Sequence, residues 1–269
     1  MGMKLTLLGT GHGIPSAERQ CSSAMLEVNG TIYIIDAGTS VFRELLKRDK
    51  DIQQVKAVFT THSHGDHTAG LFEMVSLIDC FYKTFYKDVF MDLYLTDERM
   101  VKLMEDYIQI TALKEPDLSR TRMNIVKDGL VYRDENISVT YISNKHLLRK
   151  TCEYPSYSIL IEAEGKKILF SGDLSGNIKY DDFPKVALEE NIDVMLLEMA
   201  HFEYEHVEPY LKRCKVKQLW VNHIYPLTKI ETLQARQAEY PFPIYIASDG
   251  DEIELLGRNP KGGSVNKER

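Results

Sequence analysis

Short runs of apolar and β-branched residues alternate along the chain with stretches in which apolar residues recur at helical spacing. Runs bounded by Gly, Asn, Asp or Pro are typical of buried strands, whereas recurrence every three or four residues is typical of helices. The pattern predicts strands over residues 4–8, 24–28, 31–35, 55–61, 89–95, 157–162, 166–170, 193–197, 219–224 and 244–247, the last being the final strand. Further strands are predicted between residues 125 and 142, interrupted by an Asp128-Gly129 turn. Helices are predicted over residues 41–47, 97–110, 206–214 and 227–238, and around Leu71, Val75 and Ile78.

The order of these elements indicates an α/β protein. Strands are followed by helices in two successive parts of the chain, which predicts two sheets packed face to face with helices outside. Asn29-Gly30 is a hairpin signal between two of the strands. No internal repeat or linker interrupts residues 1–257, so we predict one domain there. Residues 258–269 are rich in Gly, Asn and Lys, and we predict a disordered tail.

Composition and charge narrow the class of protein. Hydrophobic residues make up 43% and charged residues 27% of the 269 residues, which is ordinary for a globular protein. The net charge of −7 excludes a global basic footprint for nucleic acid, although local basic patches stay open. Residues 1–8 are too short a run, ended by Gly9, for a signal peptide, and no apolar run is long enough for a membrane span. The four cysteines lack any CxxC pairing, so we predict reduced thiols and a cytoplasmic protein without a membrane partner.

A cluster of ionisable residues lies where the predicted strand over residues 55–61 ends and a predicted helix begins. It contains His62, His64, Asp66 and His67 within six residues. Residues two apart in extended chain point the same way, so His62 and His64 can face one point, while Asp66 and His67 lie beyond the Gly65 bend and can face a second. Imidazole nitrogens and carboxylate oxygens are ligands for zinc and related cations, so we predict a metal site. A polar loop that contains these histidines by chance is the alternative.

Four more candidate residues stand at the ends of predicted strands. Asp36 could orient a ligand histidine or a loop amide, with a turn aspartate as the alternative. Asp173, flanked by small residues, could bridge two metals through its two oxygens. His146 and His223 also end strands, although a lone histidine is more often structural. The residues alone therefore suggest further ligands without fixing their roles.

The stretch from His62 to His67 resembles the HxHxDH signature of the metallo-β-lactamase superfamily, and the other candidates follow in that superfamily's order. The resemblance implies an αββα sandwich of two mixed β-sheets flanked by helices. It implies two divalent metal ions, with zinc as the first choice and manganese or iron as alternatives. They would share a water and lower its pKa to give a bridging hydroxide. By this resemblance the first metal would be bound by His62, His64 and His146, and the second by Asp66, His67 and His223. Asp173 would bridge the two metals. Asp36 would not bind a metal itself but would orient a ligand histidine or a loop amide.

Within the superfamily the chain is most similar to ribonuclease Z and related phosphodiesterases. The similarity rests on Gly9-Thr10-Gly11, Pro15, Arg19, Ser22-Ser23 and the segment from Ile35 to Gly38. The first loop does not resemble the opening of glyoxalase-II-like thioesterases, and Asp173 stands where the best-known zinc β-lactamases carry a cysteine. Only 26 residues separate His146 from Asp173, which leaves space for a hairpin but not for the exosite arm of ribonuclease Z.

The resemblance is weakest at the expected catalytic acid. Ribonuclease Z has a His-Glu-Ala-Thr segment there, whereas this chain has Glu198-Met199-Ala200-His201. Either Glu198 replaces the catalytic histidine, or His201 has taken its role from a shifted position. We predict that His201 is the general acid, with Glu198 holding it or the metal-bound water, and that Asp66 is catalytic as well as a ligand. His206 is the competitor, and a hydrogen-bonded core histidine is the alternative for His201.

These observations predict a binuclear metal-dependent hydrolase, specifically a phosphodiesterase or a ribonuclease Z-like nuclease. Without the arm, a small cyclic or linear phosphodiester or a short RNA end is as suitable a substrate as tRNA. A thioesterase or lactonase, in which the same hydroxide attacks a carbonyl, is the alternative. A metal-binding regulatory or scaffold protein is a third class, against which the intact ligand set argues. The resemblance implies a homodimer, and the aromatic run over residues 81–86 is interpreted as core or dimer packing, with a substrate platform as the alternative.

Overall fold

The computed structural model describes residues 2–81, 89–112, 118–148, 154–179 and 181–255. Strands in these ranges are β1 Met3–Gly9, β2 Ser23–Val28, β3 Thr31–Ala37, β4 Val55–Phe59, β5 Met91–Leu95, β6 Thr121–Ile125, β7 Gly129–Arg133, β8 Ile137–Ser143, β9 Tyr157–Ala163, β10 Lys166–Phe170, β11 Val194–Met199, β12 Leu219–Ile224, β13 Ile244–Ile246 and β14 Glu252–Leu255. Helices are α1 Val41–Leu46, α2 Gly65–Ser76, α3 Arg99–Ala112, α4 Val186–Glu189, α5 Tyr204–Leu211 and α6 Lys229–Arg236. A π-helical segment, Leu77–Phe81, continues α2, and 3₁₀ turns lie at Ile52–Gln54, Leu118–Arg120, Gly176–Ile178 and Gln237–Glu239.

The described strands form two mixed sheets of seven strands each. The order in the first sheet is β14-β1-β2-β3-β4-β5-β6, and in the second it is β13-β12-β11-β10-β9-β8-β7. In each sheet one half is antiparallel and the other is parallel, with β3 and β10 at the change of direction. The predicted sandwich of two mixed sheets flanked by helices is confirmed.

Three buried clusters account for the layers. The central cluster lies between the sheets and includes Leu5, Tyr33, Phe59, Tyr141 and Ile161. A second cluster joins the outer face of the first sheet to α1, α2 and α3, and a third joins the second sheet to α5 and α6. Central parallel strands are therefore covered on both faces, which explains their continuous apolar runs. Each fully buried large apolar side chain contributes about 1.5–3 kcal/mol.

Pairing between strands that are remote in sequence decides two strand predictions, of which the first is confirmed and the second is corrected in part. β6 ends at Ile125 and pairs with β5, whereas β7 begins at Gly129 and pairs with β8 in the other sheet. The predicted strands on either side of Asp128-Gly129 are therefore present, and this turn carries the chain from the first sheet to the second. The strand predicted over residues 244–247 is present as β13, but it is not the final strand, because β14 follows and pairs antiparallel with β1. Its Glu-Ile-Glu-Leu alternation is a strand signal that the sequence carried.

Helix positions agree with the prediction, and their ends differ. α5 begins at Tyr204 and stops at Leu211, so it is shifted toward the N-terminus relative to residues 206–214. The Asn29-Gly30 hairpin is confirmed, with both residues at positive φ as a type I′ turn requires. Most of the aromatic run over residues 81–86, and the tail over residues 258–269, lie outside the described residues, and the single domain over residues 1–257 stays a prediction. Among the described residues no helix is both long and apolar enough to cross a membrane.

The candidate site residues lie at the carboxyl ends of strands from both sheets, at one edge of the sandwich. Asp36 lies near the end of β3, His62 follows β4, and Asp173, Glu198 and His223 lie at or just after the ends of β10, β11 and β12. The carboxyl ends of parallel strands meet at the same edge of a sheet, which is the usual position of a site in such folds. The two sheets thus bring polar residues that are remote in sequence to one place.

Candidate metal centre

One group of four candidate ligands consists of Asp173 and three histidines from the first sheet and the β8–β9 connection. His62 Nε2 lies 3.6 Å and His146 Nε2 lies 3.7 Å from Asp173 Oδ2. His64 Nδ1 lies 3.3 Å from His146 Nε2. Two ligand atoms that share a tetrahedral ion at about 2.0–2.2 Å lie about 3.3–3.6 Å apart. The four residues therefore have the spacing that one divalent cation needs.

A second group, formed by Asp66, His67 and His223, adjoins the first. His67 Nε2 lies 3.7 Å and His223 Nε2 lies 3.8 Å from Asp66 Oδ2. Asp173 reaches this group as well, because Oδ1 lies 3.4 Å from His67 Nε2 and Oδ2 lies 3.3 Å from His223 Nε2. The single carboxylate of Asp173 therefore faces both groups, as a residue that bridges two ions must.

Hydrogen bonds made by Nδ1, the ring nitrogen that points away from the cluster, fix the tautomers of three histidines directly. His67 Nδ1 donates to Asp36 Oδ2 at 2.8 Å, and His146 Nδ1 donates to the Leu174 carbonyl at 3.0 Å. His223 Nδ1 donates to the Gly11 carbonyl at 3.1 Å. A carbonyl or carboxylate can only accept, so Nδ1 carries the proton and leaves the Nε2 lone pair toward the cluster. This is the arrangement usual for metal-ligating histidines.

His62 acquires the same tautomer indirectly. The Thr61 hydroxyl donates to the Asp36 carboxylate at 2.9 Å, so its lone pair can accept the proton of His62 Nδ1 at 3.1 Å. Ser22 Oγ lies 2.9 Å from His223 Nδ1 and adds a second contact there. Asp36, through Thr61 and His67, thus orients ligands of both groups.

Two buried histidine nitrogens that face the cluster indicate that these residues fit a bound cation. His62 Nε2 and His67 Nε2 are fully buried without a hydrogen-bond partner in the structure. Leaving a buried polar atom unpaired costs about 1–3 kcal/mol, so two such atoms aimed at one carboxylate call for an explanation. A divalent cation supplies it, because each orphaned lone pair then becomes a ligand. The residues present fit the group that the fold implies.

The pKa values of several residues in the cluster are also shifted from their usual range. Burial holds the pKa of His62 well below its usual range, and burial lowers the pKa of His146 to about 4, so both are neutral. Burial also lowers the pKa of His67, but the carboxylates of Asp173 and Asp36 outweigh it and raise that pKa well above the usual range. Burial raises the pKa of Asp173, but His223 and His67 outweigh it and hold that pKa well below normal. A bound cation would supply the positive charge that these carboxylates require.

Close backbone packing holds the ligand loops together, and two glycines permit it. A Cβ at Gly38 would lie 1.8 Å from the Asp66 carbonyl oxygen, so only glycine lets the β3–α1 loop pack against the start of α2. Gly172, at φ +58°, precedes Asp173, and a Cβ there would lie 2.4 Å from the Tyr157 carbonyl oxygen. Both positions require glycine for the ligand loops to approach one another.

Glu198 and His201 form a pair beside the two ligand groups. His201 Nδ1 lies 3.0 Å from Glu198 Oε1, and His201 Nε2 lies 3.8 Å from Asp173 Oδ2. Glu198 also accepts from the backbone N–H groups of Leu174, Ala200 and His201. Burial lowers the pKa of His201, but the hydrogen bond and charge of Glu198 outweigh it and raise that pKa to about 9. His201 can also form a ligand group with Asp173 and His223, whereas the competitor His206 is exposed on α5.

Two buried residues that support the site were absent from the sequence interpretation. Lys229, only 7% exposed, donates to the carbonyls of Met199 and Phe202 and so fixes the backbone on both sides of His201. Asp182 accepts from the N–H groups of Lys145 and Ser175 and ties the loop of His146 to that of Asp173. Neither carries a local signal, because a lone lysine or an acidic residue in a loop is usually exposed.

A cleft of about 330 Å³ opens over the cluster. Ligand candidates form its floor, together with His201. The rim includes His12, Ile14 and Tyr225, with the rings of His12 and Tyr225 4.5 Å apart. The volume lies near the lower end of the range for small-molecule sites, which is about 300–1,000 Å³. The cleft therefore has space for a small molecule or the end of a chain.

The chain is similar in sequence or in fold to several known proteins. A ribonuclease Z from Gloeothece citriformis is 33% identical over 148 residues, which cover 54% of this chain and 44% of that protein. The match thus spans less than half the length of the curated relative. The metallo-β-lactamase fold protein YhfI from Bacillus subtilis superposes with a TM-score of 0.73 at 16% identity, covering 95% of this chain and all of that one. The short form of human tRNase Z superposes with a TM-score of 0.68 at 19% identity, covering 93% of this chain and 98% of that one.

The fold is that of metallo-β-lactamase fold proteins, and about half of the chain is similar to ribonuclease Z, as the sequence resemblance predicted. These two structures share less than 25% sequence identity with the chain, so their similarity shows the fold alone. A family model described as Anti-Pycsar protein Apyc1 matches residues 3–233, and the chain belongs to that family.

Proposed function

We propose that the protein is a metal-dependent hydrolase that cleaves phosphodiester bonds with two divalent ions. The observation that carries this proposal is the position of Asp173, whose two carboxylate oxygens lie 3.3–3.7 Å from histidine nitrogens of both ligand groups. His62, His64 and His146 would hold one ion with Asp173. The remaining ligands, Asp66, His67 and His223, would hold the other. Bound ions would supply Lewis-acid stabilisation and a water of lowered pKa.

The protein's own contribution to the reaction is proton delivery. His201 lies on the floor of the cleft with its Nε2 turned toward Asp173. Its pKa of about 9 keeps it protonated near neutrality, and Glu198 accepts from the opposite ring nitrogen. An alkoxide leaves a phosphodiester poorly unless it receives a proton, so His201 would donate from Nε2 to the departing oxygen. Asp66, a ligand candidate that lines the cleft, would hold one of the two ions.

The proposed substrate is a small cyclic or linear phosphodiester or a short RNA end. The cleft of about 330 Å³ supports a substrate of this size. The described residues between His146 and Asp173 form the β9–β10 hairpin, and the segment is too short for an exosite arm. Relatives named ribonuclease Z support phosphodiester chemistry. A thioester would depend less on a protonated His201, because a thiolate leaves more readily than an alkoxide.

The experiment is a substrate panel run with metal analysis. Purified protein loaded with zinc, manganese or iron would receive bis-p-nitrophenyl phosphate, a 2′,3′-cyclic nucleotide, a precursor tRNA, a thioester and a lactone. We expect hydrolysis of the small phosphodiesters and two ions per chain. Hydrolysis of the thioester or lactone alone would establish the alternative function, and one ion or none after added zinc would contradict the binuclear centre.

Matched histidine variants make the panel specific. His62→Ala removes a buried ligand candidate and should abolish hydrolysis and reduce bound metal. His206→Ala changes an exposed histidine on α5 and should leave both unchanged. Activity that survives His62→Ala would belong to a contaminating enzyme or to another site. The comparison thus ties the activity to this cluster.

A cytoplasmic location and a homodimer complete the proposal. The free thiols of Cys21 and Cys214 support a reducing compartment, and the family resemblance supports dimerisation. Light scattering on the purified protein would give the oligomeric state, and a monomer at micromolar concentration would contradict the dimer. Fractionation of the source cells would test the location.

A further inference from the structure

The loop between β1 and β2 forms one wall of the cleft and also holds a ligand candidate. Its His12, Gly13 and Ile14 line the cleft. Its Thr10 carbonyl accepts from the His223 backbone N–H at 2.9 Å, and its Gly11 carbonyl accepts from His223 Nδ1 at 3.1 Å. The position of this loop therefore sets the position of the His223 ring.

His223 needs this support because its backbone is strained. Its φ is +49°, in the left-handed region that favours glycine. A non-glycine residue is strained in this region, so the surrounding contacts must impose the conformation. Two of those contacts come from the loop carbonyls of Thr10 and Gly11.

A single carboxylate ties the two limbs of that loop together. Asp249, in the turn between β13 and β14, accepts through Oδ1 from Thr10 N at 2.8 Å and Thr10 Oγ1 at 2.7 Å. Its Oδ2 accepts from Gln20 N at 2.7 Å. Arg19 Nη1 donates to Thr10 Oγ1 at 2.7 Å and to the Ala247 carbonyl, so the cation also joins the loop to the same turn. Hydrogen bonds to an ionised acceptor are roughly twice as strong as neutral ones.

We propose that Asp249 is a positioning residue for His223 and so sets the metal affinity of the group formed by Asp66, His67 and His223. The chain of contacts runs from Asp249 to Thr10, and from the Thr10 and Gly11 carbonyls to His223. Asp249 lies beyond residues 3–233, the range that the family model matches. The inference rests on the proposed metal centre and is independent of which substrate is cleaved.

The isosteric variant Asp249→Asn tests the carboxylate with little change in volume. An amide keeps one acceptor oxygen but turns an NH₂ donor toward either Gln20 N–H or Thr10 N–H, where it cannot bond. The matched control is Asp251→Asn in the same turn, whose carboxylate accepts from Ser248 N and not from the loop. A milder second variant, Thr10→Val, removes one donor to Asp249 and keeps the backbone N–H.

The measurement is zinc titration of metal-free protein by calorimetry, with circular dichroism melting as the check on folding. Wild type and Asp251→Asn should bind two ions. Asp249→Asn should bind one of the two about 10–100-fold more weakly, the usual effect of losing an outer support, and the other with unchanged affinity. Thr10→Val should show a smaller loss in the same phase, and it carries the test if Asp249→Asn fails to fold.

Several results would overturn the inference. Unchanged affinity for both ions in Asp249→Asn, equal weakening of both ions, or the same loss in Asp251→Asn would each reject a specific effect on His223. Fewer than two ions bound to wild type would remove the site on which the inference stands. Wild type that binds two ions and cleaves no phosphodiester would instead reject the proposed function alone.

Discussion

Replacing His201 with alanine should separate substrates by their leaving groups. If His201 delivers the proton to the departing oxygen, a phosphodiester with an alkyl or nucleoside leaving group should react slowly in His201→Ala. The same variant should hydrolyse bis-p-nitrophenyl phosphate at nearly the wild-type rate, because p-nitrophenolate leaves without a proton. The expected result is therefore a change in the ratio of the two rates.

The structure sets the magnitude of that change. The pKa of about 9 keeps His201 protonated near neutrality, so it carries the proton that it would donate. A positioned general acid contributes about 10²–10⁴-fold, and the alkyl-ester rate should fall by that factor. The fold should survive, because Glu198 still accepts from the N–H groups of Leu174, Ala200 and residue 201.

The assay also predicts a pH signature. A raised pKa means that the proton is present below about pH 9 and is lost as the pH rises through that value. Wild-type activity on the alkyl ester should therefore fall above about pH 9, and activity on the p-nitrophenyl ester should not. His206→Ala, with its exposed ring, serves as the control in both assays.

Equal losses on both substrates would refute the reasoning. His201 also lies within ligand distance of Asp173 and His223, so equal losses together with weaker zinc binding would make it a metal ligand. Equal losses with unchanged metal and a lower melting temperature would make it a structural residue.

Three further predictions test other parts of the site and fold. Asp173→Ala should reduce kcat more than Asp36→Ala, because Asp173 faces both ligand groups whereas Asp36 acts through His67 and Thr61. Loss of a residue that only orients a ligand typically costs about 10–100-fold. A larger loss of kcat in a folded Asp36→Ala variant would reverse the assigned roles. Activity should fall on the acid side as ligand histidines bind protons, since metal binding requires them neutral, and a flat rate from about pH 5 to about pH 8 at saturating metal would contradict this. Burial raises the pKa of Glu44, but its pairs with Lys47 and Arg48 outweigh burial and lower that pKa to about 2. Its stabilisation, about 1–3 kcal/mol, is present above the unfolded value of 4.5 and is lost as the pH falls toward 2. Denaturant unfolding of Glu44→Gln should therefore differ from wild type at about pH 6 and much less at about pH 3, and an equal difference at both would show that charge is not the cause.

The sequence predicted most of the fold because its strand and helix signals are local. Apolar runs such as β3 and β11 are buried on both faces, so they read as strands without any knowledge of their neighbours. It predicted which residues the structure gathers into the cluster for the same reason. His62, His64, Asp66 and His67 share one turn, and the remaining candidates stand at strand ends, which parallel sheets bring to one edge.

The tertiary structure alone decided the sheet to which β7 belongs and the place of β14, because strand pairing depends on residues remote in the chain. The same holds for the supports of the cluster. Asp249 meets Thr10 across 239 positions, and Lys229 meets Met199 across 30. A lone Asp or Lys is usually exposed, so only its buried partners reveal its role. Ligand types follow from local chemistry, whereas the bonds that aim those ligands form only when the two sheets pack together.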